Sequence, residues 1–129
     1  LEKSVSTEGD SGVYLQYSYA RANSILKKAK ESKIMSTCEV DNIWQTTELE
    51  KLLYKFPEVV LRAGQEFAPH YIVSYLTELA RAYNSFYGNN QIIGEKDPAS
   101  PYKVALSEAF SIAMRNGLNV LGIPVLEKM

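Results

Sequence analysis

The stretch Ser11 to Lys33 reads S-G-V-Y-L-Q-Y-S-Y-A-R-A-N-S-I-L-K-K-A-K-E-S-K, and its spacing decides the fold. Wound at about 100° per residue, Leu15, Tyr19, Ala22, Leu26 and Ala29 recur at steps of four, three, four and three and share one face. Such a stripe is what a bundle helix turns toward its neighbours. Tyr14, Tyr17 and Arg21 stand at i, i+3 and i+7, off that stripe, with Lys28 further along the same side. The core has no need of this second face. Its phenol rings and guanidinium can stack on and charge-pair with a ligand, and an unpaired nucleotide loop offers the matching chemistry.

Outward from this helix the chain keeps the same grammar. Leu1 to Asp10 is a polar lead-in without apolar periodicity, read as a loop. Gly9-Asp10-Ser11-Gly12 is a turn cluster with Asp10 or Ser11 as the expected cap. The helix should fade near Glu31 to Lys33. Ile34 to Gln45 reads as a connection, with Ile43 and Trp44 as plugs against the bundle. Thr47 followed by Glu50 is a capping-box pattern, and Leu49, Leu52, Leu53 and Phe56 follow at helical spacing. Pro57 either ends this second helix or opens a third that carries Val59, Val60, Ala63 and Phe67.

Pro69 starts a fourth helix whose stripe is Ile72, Leu76, Leu79, Tyr83 and Phe86, flanked by Tyr75 and Tyr87. Gly88-Asn89-Asn90 stops it. After a connection, Ser100-Pro101 is an N-cap and first helical position for a fifth helix with Leu106, Phe110, Ala113, Gly117 and Val120 or Leu121 on one side. Gly122 and Pro124 end it, and 123–129 is a short tail. No alternating strand pattern survives. The expected fold is all-α, a single bundle of about five mostly antiparallel helices over residues 1–129.

Composition narrows the function. A chain of 129 residues makes one domain. No apolar run approaches the ~18 residues of a membrane span, and no secretory signal opens the chain, so no membrane partner is expected. One cysteine, Cys38, and no N-x-S/T site fit a reducing cytoplasm. The first residue is Leu1 rather than Met, so the sequence is expected to be either the C-terminal part of a longer protein or an expressed fragment. A net charge of −1, from 14 basic and 15 acidic side chains, argues against a non-specific polyanion binder. The charge is uneven, however: Arg21, Lys27, Lys28, Lys30 and Lys33 face only Glu31 across Val13 to Lys33, and acids prevail across Glu39 to Glu58.

Reactive groups are scarce. One histidine and one cysteine cannot build a His/Cys metal site, so no metal is expected, and no H-E-x-x-H, Gly-rich phosphate loop or nucleophile elbow occurs. The two S-x-x-K matches, Ser24 to Lys27 and Ser100 to Lys103, lack partner motifs. His70 beside Pro69 reads as a local structural contact. No catalytic residue is expected in this chain. What stands out is tyrosine, nine of 129 residues. Each offers a stacking surface and a hydroxyl for a base edge. By periodicity Tyr19 and Tyr83 fall on core stripes, whereas Tyr14, Tyr17 and Tyr87 lie off them or at their margins.

Four blocks carry a resemblance. Gly9 to Ala29, G-D-S-G-V-Y-L-Q-Y-S-Y-A-R-A-N-S-I-L-K-K-A, resembles the helix that opens the anticodon-binding (DALR-type) domain of arginyl-tRNA synthetases. F-P-E-V-V at Phe56 to Val60 continues it, as does A-P-H-Y-I-V-S-Y-L-T-E-L-A-R-A-Y-N-S-F-Y at Ala68 to Tyr87. N-G-L-N-V-L-G-I-P-V-L-E-K-M, Asn116 to Met129, is similar to the family's closing block. The departures are Val13 in place of a proline, and Leu126-Glu127 in place of a Pro-Glu step with Pro124 further forward. The quartet that names the superfamily is not visible.

The resemblance implies an all-α C-terminal module of a class I arginine–tRNA ligase, docking on the anticodon stem and loop of arginine tRNA. It places tRNA contacts on Tyr14, Tyr17, Arg21, Tyr83, Tyr87 and Met129, and so disagrees with periodicity about Tyr83. It also implies ATP with magnesium for the parent enzyme, a catalytic domain elsewhere in the same polypeptide, a cytoplasmic location and a monomer. Neither class I signature, H-I-G-H or K-M-S-K, is in this chain. Two other readings stand beside it: a helical protein-interaction module, and the equivalent domain of another class I synthetase, such as the cysteine enzyme.

Overall fold

The computed structural model describes residues 2–37, 39, 44–66, 68–94 and 96–123, with side chains from residue 12 on. Five helices run through the described residues: α1 (Glu2–Glu31), α2 (Glu48–Tyr54), α3 (Phe56–Gln65), α4 (His70–Asn89) and α5 (Ser100–Val120). There is no strand among them. The long helices α1, α4 and α5 pack against one another, and the short pair α2 and α3 closes over α4.

The α1 stripe is buried as its spacing requires: Leu15, Tyr19, Ala22 and Ala29 are sealed, Leu26 is half-buried, and Ser18 and Ile25 join the buried side. In α4 the residues Ile72, Leu76, Leu79, Tyr83 and Phe86 are all buried. Leu106, Phe110, Ala113, Met114, Gly117 and Leu118 of α5 complete the core. Of the two alternatives at the end of α5, Leu121 packs on the core and Val120 is exposed. At its centre the Tyr83 and Phe110 rings stack, 4.2 Å between centroids and 6° apart in plane.

Boundaries follow local chemistry. Pro57 sits in the first turn of α3, so it opens that helix rather than ending α2. At the end of α1, Lys33 adopts φ 59° and the Ile34 N–H reaches back to the Ala29 carbonyl at 2.9 Å. Gly122, at φ 76°, ends α5 the same way, with the Ile123 N–H bonded to Leu118. In that left-handed region glycine carries no Cβ penalty.

Two expectations are corrected. The lead-in is not a loop, because α1 begins at Glu2 and runs straight through the Gly9–Gly12 cluster. No proline interrupts it, and glycine inside a helix costs only about 0.5–1 kcal/mol relative to alanine. Asp10 and Ser11 therefore fall inside α1 and not at its start. Ser100 is not the N-cap of α5 either; Ala99 is. The Ser100 hydroxyl is committed elsewhere, donating to the Ile92 carbonyl and accepting from the Gly94 N–H. Ile43, Phe67, Cys38 and the tail from residue 124 lie outside the described residues.

Trp44 does plug the bundle. It meets Phe86 and Tyr102 edge to face at 6.3 and 5.1 Å, and its Nε1 donates to Glu50. Glu50 also accepts from the Thr47 N–H at 2.8 Å, one arm of the expected capping box, whose other arm runs from the Glu50 N–H to the Thr47 side chain, and it accepts from the Tyr102 hydroxyl. One carboxylate thus ties the connection, the start of α2 and α5 together.

Burial alone would raise the Glu50 pKa, but the hydrogen bonds from Thr47, Tyr102 and Trp44 outweigh it and hold the group below its ordinary 4.5. The unfolded chain then takes up the proton first. Glu50 stabilises the fold above its ordinary pKa, and that contribution disappears as pH falls through the lower folded value. Urea midpoints recorded from pH 6 down to pH 3 should fall less steeply in Glu50→Gln than in wild type.

Candidate nucleic-acid interface

α1 and α4 bring three of the six expected contacts to one place. Arg21, half-buried on α1, lies with its guanidinium 5.2 Å from the Tyr17 ring centroid and 4.6 Å from that of Tyr87. Tyr17 is one turn back on α1 and Tyr87 is near the end of α4. Both rings are open to solvent, at 49% and 37% exposure. They line a notch of about 360 Å³ with Ala20, Ser24, Ile25 and Lys28. Two exposed rings, a guanidinium and an ammonium around one opening can stack bases and hold phosphates.

Behind the notch lies a residue that sequence reasoning missed. Asn84, on α4, accepts from Arg21 Nη1 at 2.9 Å through its Oδ1. Its amide nitrogen donates to the Tyr14 hydroxyl at 2.8 Å and to the buried Ser18 hydroxyl at 3.1 Å. Tyr14 is therefore half-buried, with its hydroxyl turned inward toward α4. The only hint in the sequence was an asparagine in mid-helix, where its propensity is poor.

Tyr83 is elsewhere. It is 0% exposed, donates to the Ser107 hydroxyl at 3.0 Å and stacks on Phe110. Burial pushes its phenol up to about 12, so it stays protonated. The helical period read this residue correctly, and its carry-over as a contact is corrected: the ring has no face to offer. Met129 lies outside the described residues.

The remaining candidates are structural. His70 lies 4.4 Å from the Tyr71 ring. Lys103, of the second S-x-x-K match, pairs with Asp97 at 2.8 Å and with the Gln91 carbonyl. A wider groove of about 620 Å³ lies between α1 and α5, lined by Leu26, Ala29, Ile34 and Val104 among others, but no aromatic ring lines it. Among the described residues there is no group of three or more His, Cys, Asp and Glu that could hold a metal ion. No described helix is long and apolar enough to cross a membrane.

The described residues form an all-α bundle with a tyrosine-walled cationic notch where two long helices meet. The chain belongs to the DALR anticodon binding domain family, whose model matches residues 15–129. It is similar to arginine–tRNA ligase of Lactiplantibacillus plantarum, 38% identical over 129 residues, covering 100% of this chain and 23% of that protein. Arginine–tRNA ligase of Thermococcus kodakarensis is 39% identical, covering 99% and 21%. The chain thus spans less than a quarter of the length of these relatives.

Among solved structures, Thermus thermophilus arginyl-tRNA synthetase superposes with a TM-score of 0.68 at 31% identity, covering 90% of this chain and 21% of that one. A putative arginyl-tRNA synthetase from Campylobacter jejuni gives 0.76 at 21% identity, covering 92% and 26%, which speaks for the fold alone.

Proposed function

We propose that this chain is the C-terminal anticodon-binding module of an arginine–tRNA ligase, receiving the anticodon loop of arginine tRNA at the Tyr17–Arg21–Tyr87 notch. Unpaired bases stack on the two exposed rings while Arg21 and Lys28 hold phosphates. The module orients the tRNA toward a catalytic domain elsewhere in the same polypeptide, where ATP and magnesium act, in the cytoplasm. Tyr14 contributes from behind through Asn84, and the family's closing block adds Met129 to the proposed tRNA contacts.

The observation that carries the reading is the guanidinium lying between two exposed rings, one from each helix. Protein-interaction surfaces also use tyrosine and arginine, so the salt dependence of RNA binding is what separates the two readings.

The test is binding of an arginine tRNA anticodon stem-loop across a salt series. Affinity should fall as salt rises, by about 0.7 log units per log unit of salt for each phosphate contacted. Tyr17→Ala should weaken binding by about 1–3 kcal/mol, the worth of one stacked base, with the fold intact. A salt-independent affinity, or no loss in Tyr17→Ala, would overturn the reading.

A further inference from the structure

Resting on that reading, we infer that Asn84 is a positioning residue for the interface: it fixes where the Arg21 guanidinium sits and which of its protons remain for the ligand. An arginine side chain is long, and one left to itself loses rotamer entropy each time a ligand immobilises it. Here that ordering is done in advance. Asn84 reaches across from α4 and takes an Nη1 proton at 2.9 Å, while the Tyr17 hydroxyl sits at a longer 3.4 Å from Nη2.

The amide cannot turn over. A guanidinium only donates, whereas hydroxyls both donate and accept, so the Asn84 oxygen must face Arg21 and its nitrogen must face Tyr14 and Ser18. Ser18 is fully buried and Tyr14 half-buried, so the side that holds the amide belongs to the bundle and the side that is held belongs to the notch. Asn84 itself does not line the notch. It acts on the ligand only through Arg21, which makes its effect separable from that of a residue that merely braces α4 against α1.

A double-mutant cycle in the intact polypeptide tests this, with anticodon stem-loop affinity, its salt slope and thermal stability as readouts. Asn84→Ala should weaken binding about tenfold, the worth of one hydrogen bond to a charged group. It should also lower the salt slope, because a loose Arg21 no longer neutralises its phosphate. In an Arg21→Ala background the same change should do almost nothing further.

Asn84→Ser, too short to reach Arg21 but still polar toward Tyr14 and Ser18, should reproduce the binding loss if Asn84→Ala fails to fold. Equal losses in both backgrounds, or a loss with unchanged salt slope, would mean bracing only and overturn the inference. If Arg21→Ala alone leaves affinity unchanged, it is the function of the notch that fails instead.

Discussion

Replacing Tyr83 with alanine is expected to destabilise the bundle by about 3–5 kcal/mol, the range for removing a buried aromatic ring. The ring is fully buried and stacks on Phe110, with Phe86 beside it at 6.5 Å. Its neighbours come from α4 and α5, so the hole cannot close without moving one helix against the other. The melting temperature should drop by roughly 12–20 °C, at the figure of about 4 °C per kcal/mol where the ranges for smaller and larger domains meet. Urea unfolding with an unchanged m-value would verify that stability, and not cooperativity, is what was lost.

The milder Tyr83→Phe separates core from contact. It keeps the stack and removes only the hydroxyl that donates to Ser107, which is itself buried. The stability cost should be about 1 kcal/mol. Anticodon stem-loop affinity should not change, whereas a tyrosine that met a base edge through its hydroxyl would show a loss. Combining Tyr83→Phe with Ser107→Ala should cost less than the sum of the two, since each removes one end of the same hydrogen bond.

Tyr83 also shows where the sequence was legible. Its place in the 72-76-79-83-86 stripe is a statement of period within one helix, and the period held: the α1 and α4 stripes are in the fold, as are the Thr47–Glu50 pattern and the glycine stop at Gly122. Resemblance carried over positions rather than exposures, and at Tyr83 the period was the better guide. What the period could not see is anything made between helices. Arg21 and Tyr87 are 66 residues apart, and their meeting depends on the angle at which α1 and α4 cross.

The same holds for Tyr14, which lies off the stripe yet is drawn inward, because Asn84 stands opposite it. The lead-in failed for another reason. Glycines mark turns only where nothing else favours a helix, and a continuous α1 overruns them at small cost. Ser100 had the composition of a cap, but a competing carbonyl at Ile92 took its hydroxyl.

A tightly packed glycine makes the second large prediction. Gly117 of α5 leaves so little room against Leu76 of α4 that an added Cβ would lie 2.7 and 2.8 Å from the two Leu76 methyl groups. Leu76 is fully buried and cannot swing into solvent. Gly117→Ala should therefore destabilise: overpacking costs about 1–3 kcal/mol, against a gain of about 0.5–1 kcal/mol from replacing a helical glycine. Leu76→Ala alone should cost about 2–5 kcal/mol, through lost burial and the cavity left behind. In the double variant the new methyl enters that cavity, so Gly117→Ala should change sign and recover part of the loss, a coupling of about 1–3 kcal/mol. Chemical denaturation of the four proteins measures it directly. Additive costs would mean that the helices separate to admit the methyl, and that the spacing of α4 from α5 is not set by this glycine.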